Sequence, residues 1–345
     1  MESWIDGLHS CRLCAWECGV DRTKKGRGVC RIGLPEVAYT SVTKATKSVT
    51  VTFLGCCFRC LYCNAYRLSQ YPAVGWSYRG YVPPESLAEE LYDGLHSSKS
   101  KEVGANAVNF TGGEPTINLP YIERVVGVLR GKIDGLRVGF ATNGFASRDS
   151  FERIIGLSTW INFEIKAYDD EVHRAVTGAP VEPILKNAEL LMKNARGKIR
   201  VIRTVVIPGI NEKDVGRIAE FIASVDPTVP YRLVGFRPNF LLYYHPGPTE
   251  KMMERLTRKA KAKGLEDVSW SGYYPKEIPP LVLEKATEGN KKRASPAGIA
   301  NAYLSLSGCV AVNRNCGKCL ERQKCPSMLM EPWDMQYKIR DEKNS

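Results

Sequence analysis

The chain has 345 residues, 43% hydrophobic and 25% charged, a composition that excludes collagen-like, coiled-coil and wholly disordered classes. Its 49 Lys and Arg against 37 Asp and Glu leave a net charge of +12, which favours nucleic acid, anionic membrane surfaces or acidic protein partners without choosing among them. The opening MESWIDGLHSC lacks a basic segment followed by an apolar run, and no later stretch reaches the ~18 apolar residues of a membrane span, so a cytoplasmic protein with no membrane association is expected.

Residues 1–47 read as a cysteine-rich, metal-bound extension carrying Cys11, Cys14, Cys18 and Cys30. From residue 48 to 274, short β-branched or apolar runs alternate with segments of helical period, the pattern of parallel strands joined by crossover helices. Six strands are predicted at 48–53, 107–110, 137–141, 160–166, 199–206 and 231–235, with helices at 84–97, 119–129, 147–155, 183–194 and 211–224. Pro84, Ser147 and Asn211 suit first-turn or N-cap positions. An outer helix at 249–264 and a further strand at 267–271 follow. The expected fold is α/β, a partial (β/α)6 TIM-like barrel with its chemistry at the C-terminal ends of the strands. Residues 275–345 lose periodicity and form a tail with Cys309, Cys316, Cys319 and Cys325. The Lys-rich stretches at 255–263 and 291–293 read as a solvated helix face and a loop.

The twelve cysteines fall into three groups, the third being Cys56, Cys57, Cys60 and Cys63. Tight C-x2-C pairs in a chain without a secretion signal hold metal more often than disulfides. The run GCCFRCLYC follows the first predicted strand and contains C-x3-C-x2-C at Cys56, Cys60 and Cys63. Three such thiolates can hold three irons of a [4Fe-4S] cluster, leaving the fourth open to a cofactor or substrate. A closed structural zinc site would use Cys57 as a fourth ligand, but Cys57 is the immediate neighbour of Cys56 and cannot easily share its geometry.

GCCFRCLYCNAY resembles the cluster loop of radical S-adenosylmethionine enzymes, in particular the pyruvate formate-lyase activating enzyme branch. Thr111-Gly112-Gly113-Glu114-Pro115 resembles the family's GGEP motif, Asn162 to Lys166 its fourth-strand stretch, and Arg200 to Gly209 its fifth-strand segment, together covering about residues 49–235. The resemblance implies a cluster on Cys56, Cys60 and Cys63, and S-adenosylmethionine cleaved by one electron into methionine and a 5′-deoxyadenosyl radical that abstracts hydrogen. It implies that Gly112 and Gly113 receive the methionine amino group, with Glu114 turning that loop, and that Tyr62 packs near adenine. Lys166 and Arg203 suit the methionine carboxylate, Glu164 the ribose or ammonium, and Asn143 either the nucleoside or an Asn-Gly turn. The competing view of Glu164, Lys166 and Arg203 is an internal salt-bridge network. Activating enzymes carry Asp where this chain has Ala141 and Glu164, which puts their monovalent-cation site in doubt.

Cys11-x2-Cys14-x3-Cys18-x11-Cys30 resembles the N-terminal extension of activase homologues and suits zinc or an iron–sulfur cluster; Cys309-x6-Cys316-x2-Cys319-x5-Cys325 is similar in part to auxiliary-cluster domains and suits an auxiliary [4Fe-4S] cluster or zinc. His96 and His173 read as helix-face residues, and His245 as part of a surface turn or a contact at the active edge. The expected function is hydrogen abstraction from a protein substrate, as in glycyl-radical activation, with a ferredoxin- or flavodoxin-type electron donor. The alternatives are radical modification of a small metabolite or RNA, and a multi-zinc nucleic-acid-binding module.

Overall fold

The computed structural model describes residues 3–24, 26–70, 78–287, 294–311 and 313–340, and these divide into two compact units. The Lys-rich stretch at 291–293 lies outside the described residues. The first unit comprises residues 1–57, 67–163 and 194–200 and the second residues 58–66, 164–193 and 201–345.

The first unit is built on β1 (Val37–Thr43), β2 (Ser48–Phe53), β3 (Ala107–Gly112), β4 (Arg137–Thr142) and β5 (Trp160–Glu164), the last residue of which belongs to the second unit. These strands lie side by side in chain order; β1 is antiparallel to β2 and the others are parallel. Every residue of β2, Ser-Val-Thr-Val-Thr-Phe, is buried, so both faces are covered: Val49, Val51 and Phe53 lie on one, and on the other the Ser48 and Thr50 hydroxyls bond each other (3.1 Å). Helices α1 (Pro84–His96), α2 (Leu119–Arg130) and α3 (Arg148–Leu157) connect the strands. Pro84 sits in the first turn of α1, where its missing N–H costs nothing, and Leu87, Ala88 and Leu91 form the buried face.

The second unit carries helices α4 (Asp170–Thr177) and α5 (Glu182–Asn194, its last residue assigned to the first unit), then β6 (Ile199–Val206, its first two residues assigned to the first unit), α6 (Asp214–Val225), β7 (Tyr231–Gly235), α7 (Glu250–Lys261) and β8 (Val268–Ser271). Strands β6, β7 and β8 are parallel neighbours. Met253, Leu256 and Ala260 bury one side of α7 while Arg255, Arg258, Lys259 and Lys261 are exposed, so this Lys-rich stretch is a solvated helix face. Two further helices, α8 (Pro280–Thr287) and α9 (Pro296–Leu306), precede the last cysteines.

Strands β2 to β7 are the six predicted ones. The antiparallel β1 inside the cysteine-rich extension and the helix α4 were not expected. The fifth strand is shorter than the predicted 160–166: past Glu164 the carbonyls of Ile165 and Lys166 are taken by the Thr204 hydroxyl (2.7 Å) and the Asn211 amide (2.7 Å). Asn211 is not an N-cap, because α6 begins three residues later; its side chain clips the loop instead, also accepting from Ile207 N (2.7 Å) and donating to Val205 O (2.7 Å). Ser147 is the N-cap of α3, but its hydroxyl bonds Ser150 Oγ (3.0 Å) rather than a free amide.

Candidate active site

In the second unit a cavity of about 360 Å³ gathers Cys60, Tyr62, Cys63, Glu164, Lys166 and Arg203, closed further by β7 and its sequel from Val234 to Arg237 and by Tyr274. Its size falls within the ~300–1,000 Å³ of small-molecule sites. Alternation along the chain puts Glu164 and Lys166 on one side, and their side chains meet with Nζ 3.1 Å from Oε1. Lys166 Nζ also lies 5.5 Å from the centre of the Tyr62 ring, a cation over an aromatic face. Ile165 N donates to Arg203 O (3.1 Å), which fixes Arg203 beside the Glu164–Lys166 pair.

Burial alone would pull the Lys166 pKa down, but the facing Glu164, Tyr62 and Cys60 outweigh it and hold the ammonium well above its ordinary range. Burial would raise Glu164, and the charges of Lys166 and then Arg203 win, leaving the carboxyl below its usual value. Burial drives the Tyr62 phenol strongly upward, so it stays protonated. Its buried hydroxyl meets no partner at hydrogen-bond distance among the described residues, although Lys166 is close enough to pull against the rise, and Tyr62 lines the pocket with two cations and one carboxylate. This set of donors fits an amino-acid zwitterion with an attached nucleoside.

The first unit holds Cys56, Gly112, Gly113, Glu114, Asn143 and the four N-terminal cysteines, and the second the four C-terminal ones. Gly112 has φ +124°, and a Cβ at Gly113 would fall 1.8 Å from Gly55 O, so both glycines are needed for β3 to approach the chain's own backbone just before Cys56. Gly113 N donates to Phe53 O (2.9 Å) and Glu114 N to Gly55 O (2.9 Å). The buried Glu114 carboxylate accepts from Thr116 N (3.2 Å), Thr142 Oγ1 (2.8 Å) and Asn143 N (2.8 Å), tying the end of β3 to the end of β4. Burial nevertheless leaves its pKa raised, those three donors opposing. Asn143 forms a turn, its Oδ1 accepting from Phe145 N (2.9 Å), while Nδ2 faces Cys57 Sγ (3.4 Å) and Cys56 Sγ (3.8 Å). Cys57 also hydrogen-bonds Cys14.

Cys11, Cys14 and Cys30 are buried and Cys18 half-buried; Cys309, Cys316, Cys319 and Cys325 are all half-buried. Among the described residues no three His, Cys, Asp or Glu side chains form a group arranged to hold a metal ion. Each outer cysteine group does have a buried arginine beside it that no carboxylate pairs among the described residues. Arg22 is 1% exposed and donates to Cys11 Sγ (3.8 Å), Gly33 O (2.8 Å) and Ile117 O. Arg314, 5% exposed, lies between Cys309 and Cys316 in sequence and donates only to backbone carbonyls. Sequence reasoning missed both arginines, because nothing in their local spacing marks them.

His245 is not in a surface turn: it is fully buried, with Nε2 donating to Pro208 O (2.8 Å). His173 lies on α4 but faces inward, its ring edge-on to Phe58.

Residues 50–222 match the Radical SAM superfamily. The chain belongs to that superfamily. Radical SAM proteins use a [4Fe-4S] cluster and S-adenosylmethionine, and this chain is an enzyme of that kind, similar to the pyruvate formate-lyase activating branch. It is 26% identical over 190 residues to the pyruvate formate-lyase-activating enzyme of Staphylococcus epidermidis, the match covering 53% of this chain and 71% of the relative. It is 29% identical over 162 residues to the isethionate sulfite-lyase activating enzyme of Desulfovibrio desulfuricans, covering 46% of this chain and 51% of that protein. Among solved structures, a domain of the pyruvate-formate lyase-activating enzyme from Bacteroides vulgatus aligns with a TM-score of 0.39 and 24% identity, over 48% of this chain and 98% of that domain. No helix among the described residues of this radical SAM chain is long and apolar enough to cross a membrane.

Proposed function

We propose that the chain cleaves S-adenosylmethionine reductively and uses the resulting radical to abstract hydrogen from a protein substrate, with Cys56, Cys60 and Cys63 holding the cluster. The observation that carries this reading is the cavity in which Cys60 and Cys63 stand beside Glu164, Lys166, Arg203 and the buried Tyr62. Cys56, Cys60 and Cys63 would hold the cluster, which would supply the single electron that reductive cleavage of the sulfonium needs. Lys166 and Arg203 hold the methionine carboxylate, and Glu164 takes the ammonium or the ribose. Tyr62 presents its ring toward the adenine and its hydroxyl to a ligand acceptor, while the apolar wall from Val234 to Phe236 limits water. Gly112 and Gly113 are assigned to the methionine amino group, and Glu114 and Asn143 to holding the loops that carry it.

Cys57 is left out of the cluster set because it is the immediate neighbour of Cys56 and falls outside the C-x3-C-x2-C spacing; its fully buried sulfur faces Asn143 Nδ2 at 3.4 Å. The four N-terminal cysteines take zinc or a second iron–sulfur cluster, and the four C-terminal ones an auxiliary [4Fe-4S] cluster or zinc. The partners are a low-potential one-electron donor and a protein whose backbone C–H is the target, as the similarity to activating enzymes favours.

After anaerobic reconstitution with iron and sulfide, the enzyme with dithionite is expected to form 5′-deoxyadenosine, Cys60→Ala none, and Cys57→Ala close to the wild-type amount. Wild-type turnover by Cys60→Ala, or a protein that takes up zinc but no iron, sinks the assignment. A glycine-centred paramagnetic signal on a co-purified partner tests the substrate class separately.

A further inference from the structure

Helix α4 ends on four carbonyls, at Ala175, Val176, Thr177 and Gly178, and a helix end leaves such groups without intrahelical partners. Two segments far apart in sequence share them. The cysteine loop takes two: Leu61 N donates to Val176 O (3.0 Å) and Arg59 N to Thr177 O (2.8 Å). The C-terminal cysteine segment takes the other two: Arg314 Nη1 donates to Ala175 O (3.1 Å) and Cys316 N to Gly178 O (2.9 Å).

The second guanidinium nitrogen of Arg314 then reaches past the helix to Arg59 O (2.6 Å), the carbonyl immediately before Cys60. Gly178, at φ +80°, leaves room for this seat, since a Cβ there would fall 2.3 Å from Cys316 Sγ. A separate tie fixes the other end of the loop. Tyr66 N donates to Cys63 O (3.2 Å), its hydroxyl donates to Glu331 Oε2 (2.7 Å), and its ring stacks on Phe240 at 4.9 Å. The stretch holding Cys60 and Cys63 is thus pinned before and after by residues of the last 35 positions of the chain, through one helix end and one carboxylate.

We infer that the C-terminal cysteine segment is a brace for the Cys60–Cys63 loop, with Arg314 and Glu331 as positioning residues, so that loosening the segment loosens the two thiols. The functional meaning rests on the proposed role of this loop, but the brace itself is a property of the chain and is measured without metal or S-adenosylmethionine.

The experiment is timed iodoacetamide alkylation of the metal-free full-length chain, with site-resolved mass spectrometry and Cys30, in the other unit, as reference. Arg314→Met removes all the guanidinium donors from a buried site, and Cys60 and Cys63 are expected to react about tenfold faster while Cys30 does not change. Arg314→Lys, which keeps a single donor nitrogen and cannot span both carbonyls as the guanidinium fork does, should fall between. Tyr66→Phe deletes a single hydroxyl and should accelerate Cys63 severalfold with the fold intact, whereas Glu331→Gln, which still offers an acceptor, should stay near wild type. Rates at Cys60 and Cys63 that do not rise relative to Cys30 in either Arg314→Met or Tyr66→Phe overturn the brace. A failure to make 5′-deoxyadenosine in the reconstituted protein leaves these rates untouched, so the two readings fail separately.

Discussion

Glu114 accepts three hydrogen bonds with two oxygens, and the donors belong to two stretches of chain: Thr116 N after β3, and Thr142 Oγ1 with Asn143 N at the end of β4. A carboxylate can satisfy all three, because every lone pair on it accepts. A glutamine cannot, since one end is an NH2 that would face a backbone N–H or force the hydroxyl to turn. Glu114→Gln is therefore expected to lower stability by about 1–3 kcal/mol, the cost of leaving a buried donor unpaired, although it removes a charge whose burial is itself unfavourable. Urea unfolding of the two proteins at pH 7 checks this, and an unchanged midpoint would show that the carboxylate's hydrogen bonds contribute nothing beyond the desolvation they offset. The same residue shows why a short motif gives only part of its own explanation. GGEP was readable as a loop beside a ligand; the structure adds that the glycines let β3 touch Gly55, while the acid anchors β4.

At the scale of elements, Asn211 does the work that the ladder stops doing after Glu164. One side chain bonds Ile207 N, Val205 O and Lys166 O, each at 2.7 Å, and so fixes the backbone from which Lys166 reaches the cavity. Asn211→Asp replaces a double donor by an acceptor facing two carbonyls. It is expected to cost more than Asn211→Ala, which in turn should cost about 2–3 kcal/mol for three buried bonds. Thermal unfolding of both variants decides the order, and Ala proving the worse would point to packing rather than hydrogen bonding. Strands β2 to β7 were legible because each is a short β-branched run between turn residues, and the cavity residues were legible through their motifs. Strand β1 was not: it is half exposed, sits among cysteines that suggested an irregular metal-bound segment, and gains its order from pairing with β2. Asn211 looked like a cap because Asn before a helical run has that local signature, and only the long-range partners at Lys166 and Val205 distinguish a clip from a cap. Arg22 and Arg314 were invisible for the same reason, as their carbonyl partners lie up to 255 positions away.

For the stability of the whole molecule, the two buried histidines set a pH dependence that surface charge does not. His173 Nδ1 donates to Ala179 O (2.7 Å), so its Nε2 is the unprotonated nitrogen, a buried acceptor that no donor meets among the described residues, with the ring edge-on to Phe58. His245 has the opposite tautomer: Nε2 donates to Pro208 O (2.8 Å) and Nδ1 faces the Tyr303 hydroxyl (3.3 Å). In both, burial is the main cause that pulls the pKa down to about 4, with the carbonyl contact opposing it. The unfolded chain takes up these protons near pH 6.5, whereas the folded chain resists them until about pH 4, so the stabilisation is present above pH 6.5 and drains away as the pH falls through that window. From pH 7 to pH 5 each histidine is expected to withdraw about 2 kcal/mol, roughly 4 kcal/mol together. Glu114 and Asp214, whose carboxyls burial raises, act in the other sense as the pH falls, but equally in variants that keep them. The comparison that isolates the histidines is therefore the change in urea unfolding free energy between pH 7 and pH 5 for wild type, His173→Gln, His245→Gln and the pair. Each single variant should lose about half of the histidine share of that change whatever its stability at pH 7, and the double variant nearly all of it. A double variant as sensitive to acid as the wild type would mean that the rings are reached by water, and protonated, without unfolding.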